Sequence, residues 1–149
     1  MENLAKQFRD DFERFLIACD AMEEENRWDL DEYGEMEAYF LNDFACAAIR
    51  LIASDGTFKK EEVEYLNEYL GFTYSVEELS AVYEMNKEHI DSFFETGIPD
   101  SKKELAQLNP ELSDLYGDLM RALCEVIIAG DGVIAEKERK EAERLKEMV

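Results

Sequence analysis

Apolar side chains recur at steps of three and four along almost the whole chain, and no stretch alternates polar with β-branched residues, so the pattern predicts helices throughout. Leu4, Phe8, Phe12, Phe15, Leu16, Cys19 and Met22 line one face of a first helix, with Arg9, Asp10, Glu13 and Arg14 opposite. That helix should end in Glu23, Glu24, Glu25 and Asn26. Leu30, Tyr33, Phe40, Leu41, Phe44, Ala48, Leu51 and Ile52 mark a longer second helix. Its last third, from Phe44 to Ala53, carries a single charge at Arg50, and a segment so apolar all round must be buried on nearly every side.

Val63, Leu66, Tyr69 and Leu70 predict a short helix that Gly71 ends as a left-handed cap residue. Ser75 with Glu78 three positions on forms a capping box, which opens a helix through Leu79, Val82, Tyr83, Ile90, Phe93 and Phe94. Gly97, Ile98, Pro99 and Asp100 should break it, and Ser101 with Glu104 repeats the capping signal for a short helix ending near Leu108. Asn109 and Pro110 supply the next N-cap and first-turn proline, before Leu112, Leu115, Tyr116, Leu119, Leu123, Val126 and Ile127. A final helix from about residue 135 has the thin stripe Ala142, Leu145 and Met148. The expectation is an all-α single domain over residues 1–149, of about seven helices.

A repeat organises these elements. Shifted by 76 positions, LIASDGTFKKEE (Leu51 to Glu62) falls on IIAGDGVIAEKE (Ile127 to Glu138), matching Asp55 with Asp131, Gly56 with Gly132, Phe58 with Ile134 and Glu62 with Glu138. Each copy has one plan: an apolar helix, an Asp-Gly turn, one inward apolar residue, then an amphipathic helix that starts with acid. Two copies imply a pseudo-twofold pair whose entering helices, Phe44–Ala53 and Leu119–Ala129, pack at the centre. The same string of features resembles the TerB-like family, named for a tellurite-resistance protein, over roughly residues 44 to 70 and 119 to 148. The resemblance implies an all-helical fold, a metal-binding role for the acidic loop residues, and a part in stress responses, including resistance to tellurite and other toxic oxyanions. A related domain also belongs to a membrane-anchored J-domain co-chaperone. Where that family has Ser, Thr or Asp as N-cap, this chain has Lys59 and Ala135. His89-Ile90-Asp91 is the nearest string to a J-domain His-Pro-Asp, so J-domain activity has no motif here.

Composition narrows the chemistry. Against 16 Lys and Arg stand 37 Asp and Glu, a net charge of -21, which repels phosphate backbones and anionic lipids. Direct nucleic-acid binding is therefore not expected, and no apolar run is long enough to suggest membrane insertion. Cations or a basic protein partner are favoured. Without a recognisable leader at its N-terminus the chain is expected in the cytoplasm. Cys19, Cys46 and Cys124 are odd in number, far apart and set in apolar helical contexts, as reduced buried thiols are.

Asp55, Glu62, Asp131 and Glu138 are the candidate metal ligands, since carboxylate oxygens suit hard cations such as Ca²⁺ or Mg²⁺. The competing reading makes each Asp-Gly an ordinary tight turn and each Glu a first-turn acid favoured by the helix dipole. Neither loop is an EF-hand, because positions 3, 5 and 12 counted from the aspartates are Thr57, Lys59 and Leu66, and Val133, Ala135 and Ala142. Asp20 to Glu37 holds nine carboxylates and one base, Arg27; this is a solvated helix end and linker or an acidic docking face. Trp28 in its midst is expected to staple the first two helices together, the alternative being an exposed anchor for a partner. One His and no Gly-rich phosphate loop leave nucleophilic catalysis and nucleotide chemistry without a foundation, so no catalytic residue is assigned. The expected function is a non-enzymatic stress or tellurite-resistance module that acts by binding. An acidic protein-interaction adaptor without metal, or a nucleic-acid mimic, is the alternative.

Overall fold

The computed structural model describes residues 2–54, 58–129 and 136–149; the side chains of residues 2–5, 69, 127–129 and 136–138 lie outside what it describes. The elements in chain order are α1 (Glu2–Glu24), α2 (Leu30–Tyr33), α3 (Met36–Ala53), α4 (Lys60–Leu70), α5 (Val76–Ser92), a π-helical turn (Phe93–Gly97), α6 (Ile98–Leu108), α7 (Pro110–Ala129) and α8 (Glu136–Met148). Among the described residues there is no strand, so the chain is all-helical as its periodicity predicts. None of the described helices is long and apolar enough to cross a membrane.

The stop and start signals mostly act where the sequence puts them. Gly71 adopts φ 79°, ψ 25° and its N–H donates to the Asn67 carbonyl, closing α4 in the left-handed region that glycine enters without steric cost. The Ser75 hydroxyl accepts from the Glu78 N–H at 3.0 Å while the Glu78 carboxylate accepts from the Ser75 N–H at 3.1 Å. Asn109 Oδ1 accepts from the Glu111 N–H at 3.1 Å, with Pro110 at the first position of α7. Lys59 stands at the N-cap of α4 and makes no side-chain cap bond.

Two boundaries differ from the pattern. The expected second helix is divided at Gly34, whose φ of 74° is outside the helical region, so that Asp29 caps the single turn α2 and α3 begins afresh at Met36. Leu30 and Tyr33, read as part of its apolar face, are exposed. Conversely, Gly97 to Asp100 does not break the chain. Gly97 and Ile98 keep right-handed helical angles, and the Ile98 N–H reaches back five residues to the Phe93 carbonyl. Proline lacks an N–H and its ring crowds the carbonyl four residues earlier, a conflict that the widened π turn just before Pro99 absorbs. Glycine is also required at position 97 for steric reasons, because a Cβ there would lie 2.3 Å from the Phe93 ring. Ser101 is consequently inside α6 and buried, and caps nothing.

The core is built around α3, which packs on α1, α4, α5, the π turn, α7 and α8. From Phe44 to Ala53 every residue except Arg50 is buried, as the charge-poor run requires. α7 lies against it but remains two-faced: Leu119, Met120, Leu123, Cys124 and Val126 are buried, while Arg121 and Glu125 are exposed. Phe8, Phe12 and Phe15 of α1 meet this pair, with Phe15 edge-on to Phe40 and Phe44 at 6.0 and 5.8 Å between ring centres. Trp28 is buried against Tyr39 and Phe40 of α3, and its indole N–H donates to the Gly34 carbonyl at 2.8 Å, so it fixes the turn between α1 and α3.

All three cysteines are free and buried, and burial holds the thiols high, Cys19 and Cys124 at about 12 and Cys46 at about 11. Because the thiolate is the nucleophile, labelling by a thiol reagent at pH 8 should be negligible in the native protein and complete in denaturant. Rapid native labelling of two or more sites would show that this packing is wrong.

Candidate functional site

Of the four acids that the sequence nominates as metal ligands, Glu62 alone has a described side chain. It occupies the third position of α4 and is completely buried, with 0% exposure. Glu138 lies in the first turn of α8, its side chain outside the description, and Asp55 and Asp131 fall outside the described residues. The four helices that flank the two Asp-Gly segments are packed crosswise: α3 on α7 and α8, and α4 on α3 and α7. Among the described residues no group of three or more His, Cys, Asp or Glu side chains is arranged around a common point.

A second polar centre, which the sequence pattern does not single out, lies inside the core. Asp43, on α3, is 2% exposed, and its Oδ2 accepts a hydrogen bond of 2.8 Å from the hydroxyl of Tyr116 on α7, itself fully buried. Burial raises the carboxyl to about 7; hydrogen bonds from Ser101 and Tyr116 oppose that rise and nearby Glu104 adds to it. Tyr116 is pushed well above the ordinary phenol value, first by burial and then by the Asp43 charge. Ser101 is brought here because the part of α5 after its kink at Asn86 runs on through the π turn into α6 without a break. Its place on the stripe Ile90, Phe94, Ile98, Ser101, Leu105 is the available signal, since those steps of four and three persist through the supposed break.

Asp43 also lines a cleft of about 490 Å³ on the outer side of α3. Tyr33 and Tyr39 form one side, and Phe72, His89 and Phe93 contribute from the segment after α4, from α5 and from the π turn. A smaller hollow of about 240 Å³ shares Asn42, Phe72 and His89 with it and extends along α3 past Cys46 and Ile49. Among the described residues that line the two, none is Lys or Arg.

Arg50, the lone charge of the apolar run, is placed where α5 and α8 meet α3. Its Nε lies 3.0 Å from Asp91 Oδ1 and its Nη2 3.3 Å from Glu141 Oε1, with the guanidinium 5.5 Å from the Phe94 ring centre. Tyr83 donates to the same Asp91 oxygen at 3.0 Å, and Arg144 joins Glu141 to Glu95. These contacts account for Arg50 as a tie between helices.

In comparisons with known proteins, no family model, curated protein or solved structure matches the chain.

Proposed function

We propose that the chain is a non-enzymatic binding module of the TerB-like class, serving resistance to stress and toxic oxyanions, in which Asp55, Glu62, Asp131 and Glu138 hold a divalent cation, Ca²⁺ or Mg²⁺. The complete burial of Glu62 carries this reading. A first-turn acid that served only the helix dipole would sit at the surface, where water solvates it. Withdrawal of a carboxylate into the interior costs free energy that the groups around it offset, and a divalent cation is well suited to be one of them. The donor set fits such an ion, because all four groups offer hard oxygen ligands and Glu62 stands in the first turn of the helix that follows the first Asp-Gly segment. Crosswise packing of α3, α4, α7 and α8 supports a shared position for the two segments. The bound cation supplies positive charge; the protein's own part is to gather and desolvate the carboxylates. Oxyanions are not the direct ligand in this reading, since a chain at -21 repels them.

Thermal melts decide the point. Millimolar CaCl₂ or MgCl₂ should raise the midpoint by about 5–10 °C over NaCl of equal ionic strength, the size expected for a ligand near a hundredfold its Kd acting on a domain of this length. Asp55→Asn combined with Asp131→Asn should abolish that rise while leaving the turns intact, because Asn supports the same turn. If divalent and monovalent salts give one curve, the cation site is refuted and the adaptor alternative takes its place.

A further inference from the structure

We propose that the cleft beside Asp43 binds a small organic cation of the alkylammonium class. Its sides are aromatic: Tyr33 and Tyr39 stand 5.7 Å apart between ring centres, and Phe72 and Phe93 come from other elements of the fold. A ring whose π face is turned to a cation attracts it, and a methylated or alkyl-substituted ammonium, being weakly hydrated, loses least on leaving water. The cleft adds one acid and, among its described lining residues, no Lys or Arg. Asp43 belongs to its lining, no Lys or Arg among the described lining residues competes for that carboxyl, and Asn42 and His89 supply further polar groups. At about 490 Å³ the space is of the size that small-molecule sites occupy. The net charge of -21 raises the local concentration of any cation, so the field and the lining select the same sign.

The Asp43 carboxyl is held in place for such a ligand. The Tyr116 hydroxyl at 2.8 Å and Ser101 hold it on the core side, and because the residue is 2% exposed its charge acts on whatever enters from beneath the cleft wall rather than by open contact. Burial holds the group at about 7, so a cation beside it would draw it into the ionised state. This site is separate from the Asp-Gly segments, and its test has its own readout. Trp28 is the only tryptophan and packs against Tyr33 and Tyr39 at 5.2 and 5.1 Å between ring centres, so its fluorescence reports on the cleft wall.

The full chain is titrated with choline and with its uncharged carbon isostere dimethylbutanol, at constant ionic strength set with NaCl. Choline should change Trp28 emission saturably, and the isostere should bind at least roughly tenfold more weakly, since it has the same shape without the charge. Asp43→Asn should weaken choline by roughly tenfold or more, although it removes only one of 37 acids. Phe72→Leu, at a half-buried position, should weaken it several-fold and keeps the test decisive if Asp43→Asn fails to fold. The Asp55→Asn, Asp131→Asn protein should bind choline as the unaltered chain does, which separates this site from the divalent one. Equal affinity for choline and its isostere, no saturable binding of choline, or a Phe72→Leu protein with unchanged affinity would each overturn the proposal.

Discussion

Ala48→Asp is expected to cost about 3–5 kcal/mol and to leave little of the cooperative unfolding transition, because it puts an unpaired carboxylate in the most enclosed part of the chain. Ala48 has no exposed surface, and neither do Ala47, Phe44, Leu51 or Ile52 around it on α3. The cation on that segment cannot rescue the new charge, since Arg50 is already held by Asp91 and Glu141. Domains of this size are stable by only about 5–15 kcal/mol, so the loss is a large share of the total. Urea denaturation followed by circular dichroism measures it, and the defect should shrink as the pH falls towards about 4, where the inserted acid is neutral in the unfolded chain as well as in the folded one. Ala38→Asp is the control. It lies exposed in the first turn of the same helix, where a negative charge is favourable, and should move the midpoint by less than about 1 kcal/mol. Equal midpoints for the two variants would mean that α3 is not the centre of the fold.

The contrast between α3 and the π turn explains how far the sequence could be read. Composition alone locates α3, because a ten-residue helical run with one charge has nowhere to go except the interior. Caps at Ser75, Gly71 and Asn109 are equally legible, since each is a local contest between a side chain or glycine and the backbone. Gly97-Ile98-Pro99 misleads for the opposite reason: its punctuation is local, but the outcome is set by burial of Ile90, Phe94, Ile98 and Leu105 on one stripe. That continuous stripe outweighs the proline, and a π turn reconciles the two. Gly34 carries the reverse lesson. Trp28 must reach the Gly34 carbonyl and the rings of α3, and this tertiary contact divides a helix that periodicity alone would continue. The candidate sites separate in the same way. Repeated acids such as Asp55 and Asp131 announce themselves by register, whereas Asp43 is one acid in a chain with 37, distinguished only by where three other helices place Tyr116, Ser101 and His89.

Asp43 should contribute a pH dependence to stability in the neutral range. Its carboxyl is raised in the folded chain to about 7 from an ordinary 3.8, so between roughly pH 4 and 7 the native state keeps a proton that the unfolded state has released. A native state that binds more protons loses stability as pH rises, and the loss runs through this window before levelling above about pH 7. A rise of about three pKa units corresponds to about 4 kcal/mol. Asp43→Asn has no proton to lose, and its amide oxygen can still accept from Tyr116. Urea unfolding at a series of pH values should therefore show the wild type losing about 4 kcal/mol relative to the variant between pH 4 and 8, with the remaining acids cancelling in the difference. A difference that stays constant across that range would mean that Asp43 ionises in the fold as it does in the open chain. Tyr116→Phe refines the assignment. It removes a donor that favours the ionised carboxylate, so the loss of stability should extend to higher pH than in the wild type.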